Sequence, residues 1–397
     1  MHDRRRFLSL ASFAATAPGF VARTAAAAAP HKDPVLVVVQ LTGGNDGLNT
    51  VVPFADPEYA RARPTIGIKK DAVKKLTDAV GFHPAMSGLA ELYQKGNVGI
   101  VQGVGYPNPS QSHFRSMDVW HAASTAEQLA DGWLGRAMGK ASLPGFHLAA
   151  GGNDAAPLAL TGGPARVPSL TGLADFQLKA AAAQKAVIAD ASRPAGDGPG
   201  LLDFVRRTAT ATYASSDALR RVGAAYTPKA TYPAGRLGDR LKLAAQLIDA
   251  GVGARVFYVA QDGYDTHAGQ GGAEGAHATL LGELSGAVSA FYTDVAARGH
   301  GDRVLILTFS EFGRRAKENG SRGTDHGAAA PMLLVGGRVK AGVHGPHPSL
   351  TALDDGNLRH ATDFRRVYAG VLRDWLKVDP VTVLGSGFDP LPVVAAG

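Results

Sequence analysis

Cysteine is absent from the 397 residues. That excludes disulfides, thiolate metal ligands and cysteine nucleophiles, so any metal must sit on oxygen and imidazole. A long apolar run is missing too: the stretch from Phe7 to Val21 contains Pro18 and falls short of the roughly 20 residues a spanning helix needs. Nor is there a strong excess of one charge. The formal net charge is +7, and the first thirty residues hold four arginines and one aspartate, so the remainder carries +4. That is too mild to imply a nucleic-acid partner. No repeat of the 20–50 residue kind occurs, which excludes a solenoid. Fifty glycines and 23 prolines are spread along the chain, so they mark turns and loops rather than a collagen or linker pattern.

The first thirty residues combine a cationic start, a short apolar stretch and an alanine-rich region suited to signal peptidase. They read as a targeting segment rather than structure. Arg4-Arg5-Arg6-Phe7-Leu8 resembles the twin-arginine consensus, two arginines followed by any residue, then Phe and Leu. The expectation is recognition by the twin-arginine export machinery, cleavage after an alanine at 27–29, a periplasmic or secreted protein, and no stable membrane span after cleavage. That route carries chains already folded, which suits a metalloprotein.

Residues 31–397 are expected to form one large α/β domain, and a hydrophobic content of 45% is ample for its core. Short runs rich in Val, Ile and Leu at 35–41, 98–104, 254–260, 303–309 and 331–335 read as buried strands of a largely parallel sheet. Helical periodicity occupies 84–95, 236–250, 276–298 and 364–376 between and after them. This alternation predicts a three-layer αβα domain. Residues 149–233 are poor in strand signals and rich in Ala, Gly and Pro, and read as an insertion covering one edge, with 194–200 a loop.

Ligands of open α/β sheets bind beyond the carboxyl ends of the strands, where loops and helix starts present N–H groups. The first strand is followed by Thr42-Gly43-Gly44-Asn45-Asp46-Gly47-Leu48-Asn49, and the second by a segment in which Ser110, Gln111, Ser112, His113, Phe114 and Arg115 open a helix. The third leads into Asp262-Gly263-Tyr264-Asp265-Thr266-His267, and the fourth into Ser310-Glu311-Phe312-Gly313-Arg314-Arg315. A loop then carries Thr324-Asp325-His326-Gly327 to the fifth strand. Asp and Gly are common at turns in their own right, which is the alternative for Asp46 taken alone. Carboxylates gathered together repel unless a cation neutralises them, and Asp, Glu and His without Cys suit Zn²⁺, Mn²⁺, Mg²⁺ or Ca²⁺. Ser112 is a candidate nucleophile or simply an N-cap. His113 reads as a ligand or base, or as a packing residue beside Phe114. Arg314 is a candidate clamp for an anion, or a solvated helix start. His344, His347 and His360 lie near the C-terminus, His83 at a loop-to-helix junction, and Tyr106, Trp120 and Trp133 are expected in the core or along a pocket wall.

Gly43 to Asn49, Ser112-His113-Phe114-Arg115, Gly263-Tyr264-Asp265-Thr266-His267, Ser310-Glu311-Phe312-Gly313-Arg314 and Gly323-Thr324-Asp325-His326-Gly327 resemble the exported DUF1501 family over nearly the whole mature chain. More remotely, by order and position, the chain is similar to the alkaline phosphatase and sulfatase superfamily. That likeness implies metal ligation by Asp46, Asp265, His267, Glu311, Asp325 and His326, with Ser112 as nucleophile. Asn45, Asn49, His113 and Arg314 are expected at the substrate. Phe312 stands where the superfamily carries a histidine and Asp265 and His267 are more closely spaced, so the resemblance implies one or two divalent ions, with Asp325 as a replacement ligand.

Two functions follow as expectations. One is an exported metal-dependent hydrolase of phosphate or sulfate esters, acting on a small anionic ester or an envelope polymer. The other is a binding or assembly protein on a degenerate phosphatase-like scaffold with a structural metal.

Overall fold

The computed structural model describes residues 32–151, 154–163, 166–173 and 226–395. The targeting segment, the loop at 194–200 and most of the expected insertion lie outside the described residues. The five apolar runs form β1 (Val35–Thr42), β5 (Val98–Gly105), β8 (Val256–Asp262), β9 (Val304–Phe309) and β10 (Ala330–Gly336). With β6 (Gly145–Leu148), β7 (Ser169–Leu170), β11 (Gly342–His344) and β12 (Thr362–Asp363), they make one sheet. The order is β11-β5-β10-β9-β1-β8-β6-β7, with β12 also paired to β5. β9, β1, β8, β6 and β7 run parallel, whereas β10 is antiparallel to both neighbours. The sheet is thus largely parallel with one reversed strand. β6 and β7 extend it at the edge next to β8, and β7 comes from within the expected insertion.

Pleating explains the apolar pattern of β1. Val35, Val37, Val39 and Leu41 face one side, and Leu36 and Val38 the other. A strand buried on both faces can be apolar at every position, with each buried Val or Leu contributing roughly 1.5–3 kcal/mol. The first face is covered by α3 (Ser87–Gln94), α6 (Arg236–Asp249) and α7 (Ala276–Ala297). The second is covered by α4 (His113–Ala122), α5 (Trp133–Ala141), α8 (Phe364–Gly370) and the π-helical turn Val371–Leu376 that continues it. Two short helices, α1 (Gly47–Thr50) and α2 (Pro57–Ala62), follow β1; α2 starts with Pro57 after Asp56, whose carboxylate accepts the Glu58 N–H at 2.9 Å. α9 (Val381–Leu384) lies near the end of the chain. Residues 51–82 add the small antiparallel sheet β2 (Val51–Val52), β4 (Gly81–Phe82) and β3 (Lys74–Lys75).

Trp120 and Trp133 are core residues: Trp120 stacks on Phe309 and Phe364, and Trp133 on Tyr368. Tyr106 is buried as well. No helix among the described residues is long and apolar enough to cross a membrane.

Candidate metal centre

The reversed strand shapes the site. Because β10 is antiparallel, its start lies at the same sheet edge as the ends of β1, β5, β8 and β9. His326, shortly before β10, therefore meets Asp265 and His267, shortly after β8, and His113, which opens α4 after β5. Tight glycines make the approach possible. Gly43 has φ +118°, and a Cβ there would lie 2.4 Å from the Asp265 nitrogen. A Cβ on Gly323 would lie 2.3 Å from the carbonyl of His267.

One ligand atom from each of His113, Asp265 and His326 fits within 4.8 Å of the others. His267 joins them, with its Nε2 2.9 Å from Nε2 of His326 and 3.2 Å from Oδ1 of Asp265. Nε2 of His326 is 3.2 Å from the same oxygen, and Nε2 of His113 is 3.4 Å from Oδ2. The opposite nitrogen of every ring faces an acceptor. His113 Nδ1 donates to Oε1 of Glu311 at 2.9 Å, His267 Nδ1 to Oδ1 of Asp325 at 3.3 Å, and His326 Nδ1 to the Gln111 carbonyl at 2.8 Å. Both nitrogens of each ring thus face acceptors, and the tautomer with its hydrogen on Nδ1 is the one that turns an Nε2 lone pair toward Asp265, as metal ligation requires. Three imidazole Nε2 atoms and a carboxylate thus converge.

Burial holds the His326 pKa below the ordinary imidazole value, outweighing the hydrogen bonds to Asp265 and Gln111, and the nearby Arg314 and His113 push the same way. For Asp265, burial opposes ionisation, but the hydrogen bonds from Arg314 and His326 and the charges of Arg314 and His267 hold the carboxyl at about 2. Asp265 is therefore ionised and burial favours the neutral His326 ring, the forms in which these two groups ligate a metal.

The remaining sequence candidates are placed differently. Asp46 is fully buried away from these ligand atoms, in an ion pair with Arg63 at 2.5 Å; both side chains are fully buried and Gln270 Nε2 also donates to it, at 2.6 Å. Burial would raise its pKa, yet the charge and hydrogen bond of Arg63, followed by His277 and Gln270, bring it down to about 2. Glu311 does not face the ligand atoms either. Its buried Oε1 accepts from His113 Nδ1 and, at 2.8 Å, from the Gly43 N–H, so it holds the back of the His113 ring. Asp325 stands in the same relation to His267.

Asn45 and Asn49 are internal. Asn45 Oδ1 accepts from Thr50 at 3.0 Å and faces His277 Nε2 at 3.0 Å, while Asn49 Oδ1 accepts from Tyr59 at 2.7 Å and Arg63 at 2.8 Å. Arg314 points inward: it donates to the carbonyls of Gly44 at 2.7 Å, Thr324 at 2.7 Å and Tyr264 at 2.9 Å, to that of Gly43, and to Asp265 at 2.8 Å. It clasps the loops together because four backbone acceptors surround it, which leaves it no fork for a substrate anion. Ser112 is exposed and caps α4, its Oγ accepting the Arg115 N–H at 3.5 Å. His344 and His347 bond locally, to the carbonyls of Lys340 and Pro348, and His83 to that of Gly272.

Arg63, Gln270 and His277 carry no sequence signal of a role here. Arg63 sits in Arg61-Ala62-Arg63-Pro64, which reads as a solvated helix end.

The chain matches the DUF1501 family, described as a protein of unknown function, over residues 100–367, and it belongs to that family. A search of curated proteins gives no match. Among solved structures, the chain is similar to the C-terminal periplasmic domain of EcEptC from Escherichia coli in complex with Zn, with a TM-score of 0.38 and 9% identity over 77% of this chain and 74% of that one. It is similar to PsFucS1 sulfatase from Pseudoalteromonas sp., with a TM-score of 0.37 and 12% identity over 99% and 74%. Alkaline phosphatase from the Antarctic bacterium TAB5 gives a TM-score of 0.30 and 12% identity over 77% and 92%.

Proposed function

We propose that this chain is an exported, metal-dependent hydrolase of phosphate or sulfate esters that holds a single divalent cation on His113, Asp265, His267 and His326. The convergence of three Nε2 atoms on one carboxylate carries the reading. Nε2 of His267 and Nε2 of His326 face each other at 2.9 Å beside an ionised carboxylate, while every Nδ1 is turned outward to an acceptor. With the ring hydrogens on Nδ1 the inward lone pairs and the carboxylate repel one another until a cation sits among them, and the outward acceptors are the partners that fix that tautomer and raise ligand basicity around a metal. Three nitrogens, one oxygen and no sulfur suit Zn²⁺ best, Mn²⁺ next, and the oxygen-seeking Mg²⁺ and Ca²⁺ less well. Arg63 already neutralises Asp46, which is why one ion is proposed rather than two.

When bound, the ion would supply Lewis-acid polarisation of the ester and acidify the attacking hydroxyl. The chain's own residues do the rest. Glu311, Asp325 and the Gln111 carbonyl hold the rings in register. Ser112 offers a hydroxyl at the start of a ten-residue helix, whose N-terminal dipole favours an arriving anion. Export rests on the Arg4-Arg5-Arg6-Phe7-Leu8 start.

One observation favours the alternative, a binding protein with a structural ion: Arg314 is committed to backbone carbonyls and Asp265 instead of facing substrate. Elemental analysis of the purified protein, with aryl phosphate, phosphodiester and aryl sulfate assays at several pH values, separates the two. The hydrolase reading expects about one ion per chain and metal-dependent turnover, both lost in Asp265→Ala and His326→Ala. Full turnover by both variants would overturn it, and one ion with no turnover on any ester would favour the binding protein.

A further inference from the structure

Behind the converging ligands lies a buried amide in contact with both loops that carry them. Gln270, fully buried in the connection from β8 to α7, uses its side chain three times. Nε2 donates to Oδ2 of Asp46 at 2.6 Å, while Oε1 accepts from the hydroxyls of Thr266 at 2.9 Å and Thr324 at 2.7 Å. The orientation of the amide follows from these partners, because a flip would set its carbonyl against the Asp46 carboxylate and its N–H₂ against two hydroxyls.

The two threonines are not arbitrary neighbours. Thr266 lies between Asp265 and His267, and Thr324 lies two residues before His326. Their backbones also meet directly, the Thr324 N–H bonding to the Thr266 carbonyl at 3.2 Å. One oxygen atom therefore ties the β8 ligand loop to the loop entering β10. The other end of the amide is anchored by Asp46, itself immobilised by Arg63, whose Nε and Nη2 bond to the carbonyls of Ala316 at 3.0 Å and Arg315 at 3.1 Å.

Ligation needs His267 and His326 at 2.9 Å with both Nε2 lone pairs inward, an arrangement that is unfavourable before an ion arrives. Something must hold the loops against that repulsion; Arg314 does so through their backbone carbonyls, and Gln270 through the side chains of the residues that flank the ligands. We propose that Gln270 is a positioning residue that pre-assembles the His267–His326 pair and so sets the affinity of the site for its ion. The inference rests on the metal reading above. It touches no substrate and no ligand atom, so its effect must appear in binding of the ion itself.

The test uses the metal-stripped protein, titrated with Co²⁺ and read by visible absorption, and with Zn²⁺ in competition with a chromophoric chelator. Thr266→Val and Thr324→Val each delete one hydroxyl while keeping volume, and each is expected to weaken binding about fivefold, the value of one neutral hydrogen bond. Gln270→Leu removes all three bonds and is expected to weaken binding roughly 10–100-fold, with a reduced and shifted Co²⁺ band. Urea unfolding of the same stripped proteins separates positioning from bulk stability. A purely structural role would lower stability yet leave the Co²⁺ spectrum and the Kd of the folded protein unchanged. Wild-type binding of one ion with all three variants within twofold of it would overturn the inference while leaving the metal reading intact. No Co²⁺ or Zn²⁺ binding by the wild type would instead remove the metal reading, and this inference with it.

Discussion

Acidification from pH 7 to pH 5 should destabilise the metal-stripped protein through two buried imidazoles. His277 is fully buried, and burial, helped by the charges of His83, Arg63 and Arg314 and opposed by Asp46, pushes its pKa down to about 4. His121, hydrogen-bonded with Gln40 and Tyr258 on the other face of the sheet, is brought down to about 4 by burial. Both rings are neutral in the folded chain throughout this window, whereas in the unfolded chain each takes up a proton as pH falls through about 6.5. Stability is therefore fully present above pH 6.5, declines as pH falls toward 4, and levels off below. Integrated from pH 7 to pH 5, the loss is roughly 2 kcal/mol per ring and roughly 4 kcal/mol for the pair. Against a total of about 5–15 kcal/mol, that is large. Asp46, at about 2, stays ionised and contributes almost nothing between these pH values. Urea unfolding in EDTA at pH 7, 6 and 5 measures the loss. His277→Gln retains an N–H for Asn45 and removes one titrating group, so its stability should fall by roughly 2 kcal/mol less than the wild type over the same range. The comparison isolates His277 from His326, which acts in the same direction. A wild-type stability flat to within about 1 kcal/mol, or the same slope in His277→Gln, would refute the reasoning.

Two further outcomes are expected. Arg63→Met leaves Asp46 buried without its cation and should cost about 3–5 kcal/mol by chemical denaturation, most of it recovered when Asp46→Asn is added; an unchanged midpoint in the single variant would contradict the buried pair. Replacing Arg4 and Arg5 by Lys should leave the full-length precursor in the cytoplasm, as fractionation and immunoblotting would show; normal export would exclude the twin-arginine reading.

Strands and glycine turns were legible in the sequence because they answer to local rules. A strand covered on both faces must be apolar at successive positions, as in Val35 to Val39, and a chain leaving it must turn where a side chain would collide, as at Gly43. His326 could be placed as well, since its loop runs straight into β10. What the sequence does not carry is direction. Whether Glu311 or Asp325 faces an ion or the back of an imidazole depends on a rotation of a few ångströms, and both sit at the backs of rings. Asp46 resembles an opening metal ligand until Arg63 folds over it from α2's end. His113, beside an exposed Phe114, could as easily have been a packing residue; the contact that decides its role, with Glu311, spans 198 residues of sequence.

The ligand atoms come from the start of α4, the loop after β8 and the loop before the reversed β10. On the proposed metal reading, a chain that has not yet laid β10 against β5 and β9 has no complete site, so capture of an ion would be a late event rather than a nucleus for folding. An ion that recognises only the finished sheet stabilises it by mass action, about 2.7 kcal/mol when present at a hundred times its Kd. The endurance of this protein would then be a property of its surroundings, rising and falling with the supply of metal.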